Sequence, residues 1–148
     1  MTDWTTDSRL RAIRAGLVVL AAPAAFVGVW ALAAPRSFYD DFPGAGHSWV
    51  APLGPGFDEH LVRDVGSFEL ALVALAVFAI VTLDRRLVQG ALIAFLVSGL
   101  PHFVYHATAT EPLSTGDAVA ELLSLALGFV VPLVLLPMTR PRRAEVAR

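Results

Sequence analysis

The side chains best suited to chemistry in this chain form three pairs of ionisable residues, each pair spaced four residues apart. Residues at this spacing share one face of an α-helix. Two histidines spaced in this way can present both imidazoles to one metal ion. Carboxylates and imidazoles can also serve as general acids and bases. The pairs are His60 with Asp64, His102 with His106, and Asp117 with Glu121.

The segments that must position these pairs are long and apolar. The chain has 148 residues, of which 56% are hydrophobic and 16% are charged, whereas a soluble domain usually carries about 25% charged residues. A helix needs about 20 apolar residues to cross a bilayer, and four segments meet that requirement. We therefore predict an all-α fold, an integral membrane four-helix bundle that forms a single domain. The predicted spans are residues 15–34, 64–83, 87–107 and 118–138.

The connections between the spans differ greatly in length. Asp84, Arg85 and Arg86 form a very short link, so spans two and three should make an antiparallel hairpin. Residues 35–59 form a long loop between spans one and two that is rich in glycine, proline and aromatic residues. Loops of this length are usually functional or disordered. The aromatic residues fit either a folded cap over the bundle or a belt at headgroup depth.

The arginines predict which ends of the spans face the cytoplasm. Cytoplasmic flanks of membrane helices are enriched in basic residues, and nine of the eleven arginines lie at the N-terminus, in the short link or in the C-terminal tail. The other two, Arg36 and Arg63, lie in or beside the long loop. We predict a bacterial inner (plasma) membrane protein with both termini cytoplasmic and the long loop outside. Alternatively, span one is a cleaved secretory signal ending at 31–33, although its apolar run is longer than a usual signal core.

With this orientation, the three pairs fall near the outer ends of spans two, three and four. Asp64, His102 and Glu121 should each lie about one turn inside the outer boundary at a rise of 1.5 Å per residue. Polar faces of membrane helices turn toward the bundle interior, where ionisable residues are commonly functional. We therefore expect the three faces to meet around a common hollow.

Structural alternatives exist for several of these residues. Asp117 follows Ser114 at a predicted helix start, where the helix dipole favours an acidic residue. His60 and Asp64 could form a solvated cap or an ion pair with a nearby arginine. Glu121 and Glu69 lie within apolar runs, so each is protonated or has a partner, such as an interhelical hydrogen bond.

Two features of the helix surfaces refine this prediction. Glu69 lies about 180° from His60 on an ideal helix, so it faces another neighbour or span two is irregular. Pro101 cannot donate a hydrogen bond to the carbonyl of Val97. Together with Gly99, it predicts a bend beside a cavity next to His102.

The first functional hypothesis is a metal-dependent membrane protein that acts on a lipophilic substrate. Mixed histidine and carboxylate ligands suit a divalent transition metal, namely zinc, iron, manganese or copper. Such a metal could activate water or oxygen. The candidate metal ligands are His60, Asp64, His102, His106 and Glu121, and the candidate catalytic carboxylates are Asp64, Glu69 and Glu121.

Two further hypotheses require no catalytic metal. In one, a buried glutamate and an imidazole shift protons on a lipid-like molecule, as isomerases and cyclases do. In the other, the bundle is non-catalytic and binds a lipid, binds haem through His102 or His106, or serves as a subunit of a complex. Membrane lipids are expected partners in every case, together with a lipophilic small molecule, and homo-oligomers are possible.

Other classes of function are excluded or disfavoured by the composition. The chain contains no cysteine, which excludes disulfides, thiolate metal sites and cysteine catalysis. It has no glycine-rich phosphate loop, and no basic patch with interleaved aromatic residues, so nucleic acid is not an expected partner. The predicted inner halves of the spans are almost entirely apolar, which disfavours transport through a polar pathway.

Two stretches of this chain resemble those of a protein family. They are FYDDFPG at 38–44 and EHLVRDVG at 59–66, followed by Pro101, His102 and His106. With them, nearly the whole chain resembles small bacterial four-helix membrane proteins whose layout is similar to that of the DoxX-like proteins. The resemblance implies a four-helix bundle, and it implies no particular activity or catalytic residue.

Overall fold

The computed structural model describes residues 6–109 and 112–140. Glu111, predicted on the outer side of the membrane, and the tail arginines Arg142, Arg143 and Arg148, predicted on the cytoplasmic side, are not among the described residues. The described chain is helical apart from its connections and a very small hairpin. Its elements are α1 (Asp7–Ala33), α2 (Pro35–Asp41), β1 (Pro43–Gly44), β2 (His47–Ser48), α3 (Glu59–Thr82), α4 (Arg85–Thr108) and α5 (Thr115–Leu135), and a 3-10 turn (Leu136–Thr139) follows α5.

Four helices are long and apolar enough to cross a membrane, and they cover the four predicted spans. Several begin earlier than the apolar runs suggest, because capping residues rather than hydropathy define a helix start. Asp58 caps α3 by accepting a hydrogen bond from the Leu61 amide at 3.1 Å. Asp84 caps α4 in the same way through the Leu87 amide at 3.0 Å. Polar first turns therefore belong to these helices.

The predicted hairpin of spans two and three is present. Helix α3 ends at Thr82 and is capped by Leu83, which adopts a left-handed conformation, and the next residue, Asp84, already caps α4. We call this end of the bundle the hairpin end, and the opposite end, where α1 finishes and α3 begins, the cap end.

The four long helices pack mainly as two pairs, α1 with α3 and α4 with α5. Glycines allow the backbones of each pair to approach closely. A Cβ on Gly28 of α1 would lie 3.1 Å from the Gly66 carbonyl oxygen of α3. A Cβ on Gly99 of α4 would lie 2.8 Å from the Gly128 carbonyl carbon of α5. Small residues at helix crossings are a common feature of membrane bundles.

The main hydrophobic core lies in the hairpin-end half, where residues of all four long helices are buried together. Ile13 and Leu17 of α1 meet Ala79 of α3, Leu92 of α4 and Leu135 of α5 in this cluster. Gly16 of α1 packs directly against the Leu135 side chain. This half of the bundle is therefore filled by side chains.

The long connection after α1 folds into a cap, as one of the two readings of its aromatic residues predicts. We call residues 35–57 the cap. They include α2 and the antiparallel pair β1–β2, in which Gly44 pairs with His47. Phe38 and Tyr39 of α2 are buried against Ala31 of α1 and Val62 of α3. The cap thus rests on the α1–α3 pair.

Candidate functional site

Between the cap and the hairpin-end core lies a cavity of about 690 Å³. All four long helices and the cap contribute to its walls. Most lining side chains are apolar, among them Leu20, Phe42, Leu72, Phe95 and Leu127. Pockets for small molecules commonly have volumes of about 300–1,000 Å³ and mostly apolar walls with a few placed polar groups. This cavity has that character.

The most buried polar group on its wall is the pair formed by His106 of α4 and Glu121 of α5. Their Nδ1 and Oε1 atoms lie 2.9 Å apart, and their side chains are 15% and 5% exposed. The contact has the length of a hydrogen bond but lacks its alignment, because the His106 ring nitrogen has no well-directed partner. The second carboxylate oxygen of Glu121, Oε2, also makes no hydrogen bond with the described residues. Both side chains therefore retain hydrogen-bonding capacity in a buried position.

His102 lies one turn below His106 on α4 and also lines the cavity. The two imidazole rings are 4.7 Å apart between centroids and inclined by 57°. Helix α4 continues through Pro101 to Thr108 rather than ending at the proline. Ser98 and Gly99, just before Pro101, line the cavity as well. The segment around Pro101 therefore lies beside a cavity, as the sequence predicts.

Glu69 is the carboxylate that α3 contributes to the cavity. It belongs to a face of α3 that also includes Leu61, Val65 and Leu72, spaced three or four residues apart. The sequence leaves open which neighbour Glu69 faces, because it lies opposite His60 on the helix. In the structure Glu69 lines the cavity. Glu69 therefore lies on the α1–α3 side of the cavity, whereas His106 and Glu121 lie on the α4–α5 side.

The expected contribution of His60 and Asp64 is not found, because neither is among the residues that line the cavity. They pair with each other at 3.3 Å between Nε2 and Oδ2, and their side chains are 89% and 48% exposed. The reason is geometric. The same helix cannot turn the faces of Glu69 and His60 toward one cavity, since they are about half a turn apart. Of the three predicted polar faces, those of α4 and α5 meet, and that of α3 is replaced by Glu69.

The five candidate metal ligands therefore fall into two separate groups. His60 and Asp64 form an exposed pair, and His102, His106 and Glu121 lie on the cavity wall. Within residues 6–109 and 112–140, no three side chains of histidine, aspartate or glutamate are arranged to hold one metal ion. A shared metal site is thus a prediction that the described geometry does not support.

Asp117 lies in the first turn of α5, as predicted, and it also makes contacts outside this helix. Ser114 is the N-cap residue, and its hydroxyl accepts a hydrogen bond from the Asp117 amide at 3.1 Å. The Asp117 carboxylate also accepts a hydrogen bond from Trp49 Nε1 at 3.0 Å and lies 2.6 Å from His47 Nδ1. These contacts join the cap, which rests on α1 and α3, to the start of α5. We call them the latch.

Aromatic packing holds the latch residues in place within the cap. Trp49 packs edge-on against Phe42 with 6.0 Å between ring centroids, and Phe42 contacts Phe38 at 5.0 Å. The guanidinium carbon of Arg36 lies 5.1 Å from the centroid of the Phe57 ring. Arg36 Nε also donates a hydrogen bond to Asp40 at 2.6 Å, and this hydrogen bond raises the pKa of Arg36. The cavity therefore has a folded aromatic roof. The density of aromatic residues in 38–57 indicates this roof in the sequence, but no sequence pattern indicates that the roof contacts Asp117.

No family model, curated protein or solved structure matches this chain. The DoxX-like layout stays a prediction from the sequence, and the function has to be argued from the cavity.

Proposed function

We propose that this chain binds a lipophilic small molecule in the cavity and exchanges a proton with it through His106 and Glu121. The observation that carries the proposal is a buried imidazole–carboxylate pair on the wall of an otherwise mostly apolar cavity. A buried ionisable group without full hydrogen bonding is costly, so its retention suggests use. The apolar walls suit a substrate that dissolves in the bilayer.

Access from the membrane is supported by the exposure of the cavity walls. Phe26 of α1, Leu61 of α3 and Tyr105 of α4 line the cavity, and each keeps more than half of its surface exposed. These side chains lie on helices that are apolar enough to contact lipid. A lipophilic molecule would thus reach the cavity sideways, between helices, without crossing water.

The chemistry best suited to this wall is an isomerisation by proton transfer. Glu121 or a protonated His106 would donate a proton to one carbon of a double bond, and the Glu69 carboxylate on the other side of the cavity would remove a proton from the carbon next to the other end of that double bond. The double bond then moves by one position, with no net oxidation and no co-reactant. Groups positioned in this way typically contribute 10²–10⁴-fold to such steps. Glu69 has then gained a proton, and Glu121 or His106 has lost one. The proton returns from Glu69 to the donor through water or the bound product.

The distribution of the arginines supports a proposed cellular setting. It favours a bacterial inner membrane protein with both termini cytoplasmic, which would place the cap and the cavity in the outer leaflet. The aromatic cap would then lie at headgroup depth, where tryptophan and tyrosine are enriched.

Retention of a ligand is the first test. Protein purified in lipid nanodiscs would be incubated with a total lipid extract of the expression host, washed and extracted with organic solvent. We expect mass spectrometry to recover a lipophilic compound in stoichiometric amount. Recovery of no compound above the level of empty nanodiscs would overturn the proposal.

Proton exchange is the second test. In deuterated water the recovered compound should gain deuterium at a carbon position, and Glu121→Gln should reduce the rate at least tenfold. Glu59→Gln is the matched control, because Glu59 is an exposed carboxylate paired with Arg63 outside the cavity. Equal rates for both variants would refute a role for Glu121. Exhaustive chelation should leave the rate unchanged, and loss of exchange on chelation would favour the metal hypothesis instead.

A further inference from the structure

The charges around the cavity restrict which lipophilic molecules fit it. Three carboxylates, those of Asp58, Glu69 and Glu121, are among the lining residues. Among the described residues, no arginine lines the cavity, and the chain contains no lysine. A fatty acid or a phospholipid phosphate would bring negative charge next to these carboxylates with no arginine or lysine to offset it, and the imidazoles of His102 and His106 are the basic groups on the wall. Like charges in a weakly polar environment repel strongly.

One hydrogen-bonding position on the wall is vacant. Glu121 is 4% exposed, and its Oε2 atom makes no hydrogen bond with the described residues. Its Oε1 atom faces His106. A buried carboxyl oxygen without a partner costs free energy that a ligand group can recover by bonding to it. A hydroxyl suits this position because it can donate to a carboxylate or accept from a carboxylic acid.

The position of Glu121 also indicates the direction of the ligand. Glu121 lies six residues inside the α5 start at Thr115, hence about 9 Å along the helix. Leu20 on the cavity wall lies thirteen residues inside the α1 end at Ala33, hence about 20 Å from that end. Leu72 and Phe95 line the same deep part. Along α5 the cavity wall extends from Glu121 to Gly128, about 10 Å toward the hairpin-end core, and it is mostly apolar apart from Glu69, Ser98 and Ser124.

We infer that the ligand is an uncharged, unsaturated single-chain alcohol, with its hydroxyl on Glu121 Oε2 and its tail toward the hairpin end. This inference rests on the proposed function and specifies its substrate class. An amine would form a buried ion pair with Glu121, whose desolvation cost offsets much of the attraction. A plain hydrocarbon would leave Oε2 without a partner.

The test compares four probes with the same chain, namely dodecanol, dodecanoic acid, dodecylamine and dodecane. Each would displace a fluorescent apolar dye from the protein in lipid nanodiscs, because a detergent's own alkyl chain would compete. Partition into empty nanodiscs provides the correction for each probe. We expect dodecanol to bind at least about tenfold tighter than dodecane and dodecanoic acid, as one hydrogen bond to a buried carboxyl group allows. Dodecylamine should also bind more weakly than dodecanol.

Variants tie this selectivity to Glu121. Glu121→Leu should reduce the preference for dodecanol over dodecane to about twofold or less, and Glu59→Gln should preserve it. If Glu121→Leu does not fold, Glu121→Gln serves instead and should weaken the rejection of dodecanoic acid. Tight binding of dodecanoic acid or dodecylamine by the unaltered protein would overturn the inference and leave the proposed function standing. Failure of all four probes to displace the dye would overturn both.

Discussion

The close crossing of α4 and α5 makes a quantitative prediction about Gly99. A Cβ at this position would lie 2.8 Å from the carbonyl carbon and 2.9 Å from the carbonyl oxygen of Gly128. Both atoms belong to backbone, which cannot rotate away as a side chain can. Gly99→Ala must therefore move α5 away from α4. Overpacking of this kind costs about 1–3 kcal/mol, against a gain in helix propensity of about 1 kcal/mol from replacing glycine by alanine.

Gly90 provides a matched control on the same helix. A Cβ at Gly90 meets no atom within 4 Å, so Gly90→Ala should stabilise the protein by up to about 1 kcal/mol through helix propensity alone. Both variants share the gain in helix propensity, so it cancels when they are compared. Their free energies of unfolding should then differ by the cost of overpacking alone, about 1–3 kcal/mol. Reversible unfolding in mixed micelles with increasing sodium dodecyl sulfate, followed by circular dichroism, measures this difference.

The same substitution should alter the cavity, because Gly99 and Gly128 both line it. A displaced α5 carries Glu121 away from His106, so Gly99→Ala should slow deuterium exchange while Gly90→Ala does not. If Gly99→Ala and Gly90→Ala unfold at the same denaturant concentration, the described crossing of α4 and α5 is incorrect.

Three further predictions concern the cap, the core and metal binding. Trp49→Phe retains an aromatic ring but loses the indole N–H that donates to Asp117. Limited proteolysis should therefore cleave the cap faster, while the midpoint of unfolding changes little. An unchanged rate of cleavage would refute the latch. Leu92→Ala, at a fully buried position, should cost about 2–5 kcal/mol, whereas Ile93→Ala, half exposed on the same helix, should cost less than about 1 kcal/mol in micelles. Elemental analysis of the purified protein should find less than one transition metal ion per chain, and a stoichiometric metal that resists chelation would argue against a metal-free site.

The helices were predictable because the length and hydropathy of a membrane span are properties of consecutive residues. All four predicted spans lie within or close to the long helices of the structure. The short link at Asp84 predicts the α3–α4 hairpin for the same reason. The helix starts were less accurate, since capping by Asp58 extends α3 over a polar first turn that hydropathy does not include.

The candidate site was predictable only in part. The spacing of His102 and His106 identifies one face of α4, and that face does line the cavity. The spacing of His60 and Asp64 is equally regular, yet that face is exposed and Glu69 lies at the cavity instead. Periodicity shows which residues share a face, but the neighbouring helices determine which face turns inward.

The contacts of the cap were beyond sequence reasoning for a different reason. Trp49 and Asp117 are separated by 68 residues, and neither residue carries a pattern that points to the other. Their contact depends on how the cap settles on α1 and α3 and how far it then extends toward α5. Such contacts follow from the assembled fold rather than from any local segment.

The filled half of the bundle has a consequence for how any occupant is exchanged. The hairpin-end core, in which Ile13, Leu17 and Leu92 have no exposed surface, lies on the far side of the cavity from the cap. Under the proposed function, a guest molecule would therefore leave through the same half of the protein by which it entered. In the orientation proposed from the arginines, exchange would therefore be confined to the outer leaflet.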